Sequence, residues 1–226
     1  VVMDYAIGVD AGDTFTDAVL FNAEAEKVEK VTKIRTTHQD LSWGIFTAID
    51  RVIKGINPDD VIQVSLSSTL ATNSIVEGRG GPVGLLTLGW QPEEDQEFPL
   101  SKRGYVPGRF NPRGEETEPL DRSRAKLLVQ SWEGEVVGYA VSGYFGVRNP
   151  RHENEIRSII RARTDKPVIT GHELSPELGF YERAVTAVLN VKVIPIINSF
   201  IDSARSALEK RGIDAKTSFF ADATIT

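Results

Sequence analysis

The sequence predicts an α/β fold with a mixed sheet and helices on both of its faces. Short apolar runs, typical of buried strands, alternate along the chain with longer segments whose apolar residues recur at helical spacing. The chain opens on a strand, a glycine turn and a second strand within residues 5–20. Its 226 residues, of which 40% are hydrophobic, are enough to bury a large core.

The first hairpin predicts a ligand site as well as a turn. Asp10 ends the first strand, Gly12 lets the backbone turn sharply, and Thr14 and Thr16 bring hydroxyl groups to the turn. Hydroxyl and turn N–H groups can hold phosphoryl oxygens, and a carboxylate at a strand end can hold Mg²⁺ directly or through water. An ordinary hairpin, in which Gly12 and Asp13 only make the turn, explains the same residues.

A third strand and a first helix are predicted next. The strand covers 27–35, and Asp40 is expected to cap the helix. Gly55 and the pair 57–58 mark the end of that helix. The apolar positions that recur at helical spacing are Leu41, Ile45, Ala48, Ile49, Val52, Ile53 and Ile56.

A fourth predicted strand leads into a second helix through a segment rich in hydroxyl groups. Strand ends that feed helix N-termini are ligand sites in open α/β sheets, so Thr69, Thr72 and Asn73 are candidate ligand residues. We expect them to lie beside the Asp10 turn. Helix capping by Ser68 or Thr69, with no ligand, is the alternative interpretation.

The middle of the chain is predicted to carry an irregular insertion. A strand at 82–88 is followed by residues 89–118, where Pro, Gly and charged residues interrupt every pattern. Long irregular segments of this kind cover substrates or make oligomer contacts. Regular structure is expected again from a helix at 122–131 and a strand at 136–142.

The last third of the chain predicts two more helices. Asn149 and Pro150 are expected to start the first. Ser175 is expected to cap the second, a long apolar helix that Pro195 kinks or splits and Gly212 ends.

The predicted domain boundary follows this helix. Residues 1–212 are expected to form one domain, and a strand at 216–221 is expected to begin a second domain, of which 213–226 are only the start. On this prediction the 226 residues carry about half of an active site and are inactive alone.

Composition excludes several classes of partner. The net charge is −6, with no dense basic cluster, so neither nucleic acid nor an anionic membrane is expected. We expect no apolar run to approach the roughly 20 residues of a membrane helix, and the first residues are too short for a signal peptide, so the sequence predicts a cytoplasmic protein. The chain has no cysteine. His38, His152 and His172 are far apart in sequence and are expected at caps or on the surface.

Four segments resemble one known family. The first segment is similar to the first phosphate motif of the actin, sugar-kinase and heat-shock-chaperone superfamily, through Asp10-x-Gly12-x-Thr14-x-Thr16-Asp17. Its full sequence, G-V-D-A-G-D-T-F-T-D, resembles the hydantoinase A and 5-oxoprolinase branch of that superfamily. Three later segments are similar to family motifs at 66–73 (H-G-T-T-x-A-T-N), 149–153 (N-P-x-H-E) and 175–190 (S-P-E-I-x-E-Y-E-R-T-x-T-x-V-L-N). The residues that match or replace the first two of these motifs are Leu66, Ser67, Thr69, Ala71, Thr72, Asn73, Asn149, Pro150, His152 and Glu153.

This resemblance implies a ribonuclease H-like, actin-type fold that binds ATP and Mg²⁺. Asp10 would hold the metal, the turn 12–16 would hold phosphate, and Glu182 would orient a metal-bound water. Alternatively, Glu182 pairs with Arg183 or Arg205. Asp13 stands where the family usually has a second glycine, which places an extra carboxylate beside the phosphates and makes nucleotide binding weaker.

The resemblance also implies a reaction. Family enzymes use ATP to phosphorylate a cyclic amide before opening its ring, together with a hydantoinase B-type partner subunit or domain. A ketone carboxylase subunit of the acetone or acetophenone type shares the same segments and is the first alternative. A nucleotide-dependent switch without enzyme activity is the second.

Overall fold

The computed structural model describes residues 4–12, 14–36, 41–91, 98–99 and 101–221. The first half contains β1 (Tyr5–Ala11), β2 (Phe15–Asn22), β3 (Lys27–Arg35), α1 (Leu41–Ile53), β4 (Val61–Ser68), α2 (Leu70–Val76), β5 (Val83–Leu88), β6 (Ser101–Val106) and β7 (Arg109–Phe110). The second half contains β8 (Glu116–Glu118), α3 (Arg122–Trp132), β9 (Gly138–Gly143), α4 (Arg151–Arg161), β10 (Val168–Thr170), α5 (Phe180–Glu209) and β11 (Lys216–Ala221). Asp13, which is predicted to lie beside the phosphates, and Asp40, which is predicted to cap the first helix, lie outside the described residues.

The chain forms two compact units. Residues 4–77 and 196–221 belong to the first unit, and residues 78–195 belong to the second. Helix α5 contributes to both, and the division falls directly after Pro195. A proline in a helix interior removes one backbone hydrogen bond, yet α5 continues through Pro195 as one helix. Of the two predicted outcomes, a kink or a split, the split is therefore wrong.

The first unit is built on a five-stranded mixed sheet in the order β11-β4-β1-β2-β3. β2 is antiparallel to β1 and β3, whereas β4 is parallel to β1 and β11. Every second residue of β1 is buried, which places the core on one face of the sheet. Helix α1 and the later half of α5 complete that core with Ile45, Ile49, Val52, Phe200, Ala204 and Leu208.

The last strand corrects the predicted domain boundary. β11 pairs in parallel with β4 from Lys216↔Gln63 to Ala221↔Ser68, so it is an edge strand of the first sheet. A single strand of alternating residues cannot reveal its neighbour, because pairing is decided by parts of the chain far away in sequence. The strand was predicted, and its assignment to a new domain was wrong.

The second unit contains a four-stranded parallel sheet in the order β10-β9-β5-β6. β5 is fully buried and lies between β6 and β9. Residues 101–106, which were predicted to be part of an irregular insertion, therefore form a sheet strand. Gly104 explains why β6 was hard to predict: a Cβ there would lie 2.6 Å from a methyl carbon of Leu128, so close packing of α3 requires a residue of low strand propensity.

Two helix starts differ from the predictions. α5 begins at Phe180, and Ser175 instead closes a local turn in which its Oγ accepts the Glu177 amide N–H at 3.1 Å. α4 begins at Arg151 with Pro150 in the cap position, and the Asn149 side chain accepts the Arg151 N–H at 3.1 Å. Serine and asparagine accept hydrogen bonds from local N–H groups in turns as well as at helix caps. They therefore predict the region in which a helix begins more reliably than the exact residue at which it begins.

Helix α5 is long and apolar enough to cross a membrane by length and composition alone, which corrects the prediction that no segment reaches that length. Its buried residues include Val188 and Val191 in the core of the second unit, and Ala204 and Leu208 in the core of the first. Core helices meet the same two criteria, so length and composition lead to no conclusion about a membrane.

Candidate functional site

The carboxyl ends of β1 and β4 lie side by side in the first unit. These strands are parallel, with Asp10 opposite Ser67 and Ala11 opposite Ser68. The Ser67 hydroxyl donates to Asp10 Oδ1 at 2.7 Å, and the Ser68 hydroxyl donates to the Ala11 carbonyl at 2.9 Å. The turn after Asp10 and the segment that begins at Thr69 therefore leave the sheet at the same edge, as predicted.

An open cavity of about 320 Å³ lies on the exposed face of this sheet. Asp10 pairs across the sheet with Asp17, whose carboxylate forms an ion pair with Lys33 at 3.1 Å. The size is in the range of small-molecule sites. Polar and aromatic residues that share the cavity with Asp10 are Asp17, Ser65, Ser67 and Phe220. Of these, Asp17 belongs to the hairpin motif and Ser67 to the second segment, whereas Ser65 and Phe220 were not predicted from the sequence as site residues.

The two threonines of the hairpin have different environments. Thr14 is exposed. Thr16 is buried, and its Oγ1 lies 3.1 Å from Thr36 Oγ1. Thr16 thus faces the core, and this corrects the prediction that it contacts phosphate. The reason is strand alternation: Asp10 is paired with Asp17, so the neighbouring Thr16 points to the opposite face.

Gly12 makes the tight turn that was predicted for it. Its N–H donates to the Phe15 carbonyl at 3.0 Å, and a Cβ at Gly12 would lie 3.0 Å from that same oxygen. The Gly12 N–H is therefore already hydrogen-bonded within the turn. Because Thr16 is buried, Thr14 is the hairpin hydroxyl that is positioned to meet a ligand.

The second segment combines helix capping with exposed polar groups. Ser68 Oγ accepts the Leu70 amide N–H at 3.1 Å, so part of the capping interpretation is correct. Thr69 occupies the cap position of α2 without a side-chain capping bond, and its Oγ1 lies 3.3 Å from Asn73 Nδ2. Thr72 is exposed. Their roles toward a nucleotide stay predictions.

The chemistry at Asp10 fits Mg²⁺ held mainly by other oxygens. Among the residues that the structure describes, no three His, Asp or Glu side chains form a group that could hold a metal ion. Mg²⁺ commonly uses one or two carboxylates and takes its other ligands from water and substrate phosphates. The exposed Asp10 carboxylate has a serine hydroxyl beside it, and the neighbouring Asp17 carboxylate is paired with Lys33. This arrangement matches that pattern, whereas it would not suit a metal bound entirely by the protein.

Glu182 lies in the second unit, on the first turn of α5. The Glu182 side chain is exposed, and its predicted role toward a metal-bound water stays a prediction. The next residue in the sequence, Arg183, is buried instead, with 2% of its surface exposed. Helical geometry explains the difference, because adjacent residues are rotated to different faces.

Glu153 and Arg183 hold the end of β9 from two sides. The Glu153 carboxylate is 1% exposed and accepts the Gly143 N–H at 2.7 Å, the His172 N–H at 3.0 Å and, at 2.7 Å, His172 Nδ1. Arg183 Nη2 donates to the Gly143 carbonyl at 3.0 Å. Burial lowers the Arg183 pKa, and the nearby Glu153 carboxylate raises it in part. Two segments that were singled out for family resemblance thus fix the backbone around Gly143.

Glu116 forms an ion pair with Arg151 and hydrogen-bonds to His152, at 2.6 Å from Nε2. The Arg151 hydrogen bond, followed by that of His152, lowers the Glu116 pKa from 4.5 to about 2. Because the folded pKa is depressed, the stabilisation is complete above pH 4.5 and is lost as the pH falls toward 2.

Glu116→Gln is therefore expected to weaken the acid dependence of stability in that window. Urea unfolding of the wild type and of Glu116→Gln between about pH 2 and 5 measures the difference. Glu118→Gln, from the same strand β8, is the control. Parallel pH dependence in the wild type and Glu116→Gln would contradict the assigned interaction.

Comparison with known proteins identifies the family. The model of the hydantoinase/oxoprolinase N-terminal region matches residues 6–164. The chain belongs to this family. The resemblance predicted from the four segments is confirmed.

Two curated relatives are subunits of larger enzymes. The caprolactamase subunit alpha of Pseudomonas jessenii is 28% identical, covering 96% of this chain and 35% of that subunit. The acetophenone carboxylase gamma subunit of Aromatoleum aromaticum is 26% identical, covering 92% of this chain and 33% of that subunit. This family member therefore spans about a third of the length of these relatives.

Solved structures confirm the fold. The ATP-dependent caprolactamase of Pseudomonas jessenii superimposes with a TM-score of 0.81 at 27% identity, covering 96% of this chain and 35% of that one. Nucleotide-free acetone carboxylase gives 0.75 at 20% identity, covering 98% of this chain and 36% of that one. Both confirm the predicted α/β, actin-type fold class for this family member.

Proposed function

We propose that this family member is the nucleotide-binding part of an ATP-dependent enzyme that hydrolyses a cyclic amide. The observation that carries the proposal is the meeting of Asp10, Ser67 and the segment after Thr69 at the carboxyl edge of two parallel strands. Ligands bind at such edges in open α/β sheets. Family membership and the similarity to an ATP-dependent caprolactamase support the reaction class.

Each residue has a distinct part in this proposal. Asp10 binds Mg²⁺, and Ser67 orients the Asp10 carboxylate through its 2.7 Å hydrogen bond. Thr14 contacts phosphoryl oxygens, and Thr69, Thr72 and Asn73 line the opposite side of the nucleotide. ATP supplies the phosphoryl group that makes a resonance-stabilised amide carbonyl electrophilic. Positioning and charge neutralisation are what such a transfer needs from the protein.

A ketone carboxylase is the second candidate, because the acetophenone carboxylase gamma subunit is nearly as similar as the caprolactamase subunit. We further propose that the complete protein acts in the cytoplasm with a hydantoinase B-type partner subunit or domain. The partner would supply the groups that decide between hydrolysis and carboxylation.

The test is an assay of the full-length protein with its partner, with and without ATP and Mg²⁺. Caprolactam, hydantoins and 5-oxoproline are offered as cyclic amides, and acetone and acetophenone with bicarbonate as ketones. ATP-dependent ring opening supports the hydrolase. Carboxylation of a ketone alone would replace it by the second candidate, and phosphate release without any product would indicate a nucleotide-dependent switch.

We expect ATP to bind the 226-residue chain weakly, with a Kd of about 1 mM or more, equivalent to roughly 4 kcal/mol. The family resemblance implies a site that further parts of the protein complete, and it places Asp13, which lies outside the described residues, as a like charge beside the phosphates. At about 4 Å that repulsion is roughly 1 to 4 kcal/mol, so Asp13→Gly should tighten ATP binding to the full-length protein. Isothermal calorimetry measures both values, with Asp59→Gly as the control. Micromolar binding to the 226-residue chain would contradict the prediction.

A further inference from the structure

The first sheet has a second face, opposite the core that α1 and α5 cover. Strand alternation places Ile7 and Val9 in that core, so Ala6 and Gly8 of β1 lie on the opposite face. The strand register then places further apolar residues of β2 and β3 beside them. The six small or apolar residues of this surface, which we call the open face, are Ala6, Gly8, Val19, Phe21, Val28 and Val31.

The open face is contiguous and partly exposed. The cross-strand pairs that join its members are Ala6–Phe21 and Gly8–Val19 between β1 and β2, and Phe21–Val28 and Val19–Val31 between β2 and β3. Val31 is 66% exposed and Val28 is 54% exposed. Single exposed apolar residues need no explanation, whereas a contiguous group commonly marks a place where another element packs.

The strand arrangement makes a bare apolar face unusual. β1, β4 and β11 are parallel, and sheets of parallel strands normally have helices on both faces. Antiparallel strands can leave one face to solvent, but that face is then polar. β2 and β3 are antiparallel, yet Val19, Phe21 and Val31 stand where polar residues would be expected. The sheet therefore requires a further layer on this face.

The shape and the charge of this surface indicate what that layer is. A Cβ at Gly8 would lie 3.1 Å from a methyl carbon of Val19, so the glycine keeps the centre of the open face flat. Two exposed basic residues, Arg35 of β3 and Lys216 of β11, lie on the same side of the sheet at its two margins. Neither has an acidic partner among the residues that the structure describes. A helix with an apolar stripe and acidic flanks matches both properties.

We propose that an amphipathic helix, supplied by a part of the full-length protein outside these 226 residues, packs on the open face and directs acidic residues to its margins. The matched region is 35% of the caprolactamase subunit and 33% of the acetophenone carboxylase subunit, so such subunits have ample polypeptide outside it. A helix of the same polypeptide is favoured over a second copy, because α/β units cover parallel strands with their own helices. This inference does not depend on the reaction proposed above.

The helix would also enclose the cavity beside Asp10. Gly8 and Val19 belong both to the open face and to the lining of that cavity. A helix that packs on them therefore forms a wall next to the Asp10 carboxylate. On this proposal the cavity is open in the 226-residue chain and enclosed in the full-length protein.

Cysteine labelling tests whether the open face is covered. The 226-residue chain has no cysteine, so Val31→Cys introduces a single thiol. Leu127→Cys is the control, because Leu127 lies on α3 in the second unit and is 61% exposed. Labelling by N-ethylmaleimide is measured by peptide mass spectrometry in the 226-residue chain and in the full-length protein. We expect the rate at position 31, relative to position 127, to be lower by about tenfold or more in the full-length protein.

Equal relative rates in the two proteins would show that the face stays bare and would overturn the proposal. If the 226-residue chain does not fold alone, the full-length protein unfolded in urea gives the reference rates. Protection at position 31 without protection at position 127 then supports the cover.

The source of the cover is identified in the same assay. Protection that stays constant over about a hundred-fold range of protein concentration, with no partner subunit present, assigns the cover to the same polypeptide. Protection that depends on concentration would assign it to a second copy, and protection that requires the partner subunit would assign it to that subunit. Either result would overturn the proposed occupant.

Carbodiimide coupling tests the helix and its acidic flank. The reagent joins the Lys216 amine to a carboxylate in contact with it, and Lys216→Arg, which keeps the charge but cannot couple, is the control. We expect a coupled peptide from outside residues 1–226 whose apolar residues recur at helical spacing. The absence of such a peptide, or a coupled segment without that spacing, would overturn a helical cover with acidic flanks.

Discussion

Replacing Asp10 by Asn is expected to abolish ATP-dependent turnover of the full-length enzyme while leaving its fold intact. The Asp10 side chain is exposed at the end of β1, so the change removes a metal-binding charge and no core volume. Ser67 can still donate to the remaining amide oxygen. Removing one electrostatic contact to a transition state commonly reduces kcat by about 100- to 1,000-fold, and we expect a loss of at least that size.

Steady-state kinetics and thermal unfolding of the same preparation measure the two halves of this prediction. Asp59→Asn, which removes an exposed carboxylate from a 3-10 turn elsewhere in the first unit, is the matched control. Wild-type turnover in Asp10→Asn would remove Asp10 from the mechanism. A large drop in Tm together with lost activity would instead assign Asp10 a structural role.

Replacing Glu153 by Ala is expected to cause a large loss of stability in the second unit. The substitution leaves the N–H groups of Gly143 and His172 without their buried acceptor, and it removes the larger of two opposite charges that act on Arg183. Breaking a buried charged network commonly costs about 3 to 5 kcal/mol. For a chain of this size that corresponds to a fall in Tm of roughly 6 to 20 °C.

Thermal and urea unfolding measure this loss, and the same helix offers a control. Glu155 forms partly exposed ion pairs with Arg122 and Arg151, so Glu155→Ala should cost about 1 kcal/mol or less. Glu153→Gln keeps one acceptor oxygen and should lie between the two. Equal Tm values for Glu153→Ala and Glu155→Ala would show that the buried carboxylate does not hold the end of β9.

Local patterns predicted most strands and helices, because an element with one buried face repeats apolar residues every second position in a strand and every third or fourth position in a helix. The alternation in β1 and β2 and the helical spacing in α1 both reflect one buried face. Asp10 and Gly12 could be identified for a related reason, since a sharp turn and an exposed strand-end carboxylate are local properties. The same local reasoning failed for Thr16, because the hairpin register alone decides that its hydroxyl points into the core.

Residues 89–118 illustrate a second limit. β6 contains Gly104, which weakens any strand signal, yet that glycine is required by the close approach of Leu128. β11 was recognisable as a strand, but its place beside β4 depends on a pairing between residues more than 150 positions apart, such as Lys216 and Gln63. Neither constraint is visible in a window of neighbouring residues.

The α/β class, the family and the glycine turn after Asp10 could all be predicted from the amino-acid sequence, because they depend on residue type and short-range spacing. Folding of the whole chain is what places the Ser67 hydroxyl on Asp10, Glu153 and Arg183 on Gly143, and His152 on Glu116. Each of these depends on atoms from distant segments meeting within about 3 Å, the range of a hydrogen bond. Such meetings are fixed by sheet register and helix packing, which the whole chain determines together.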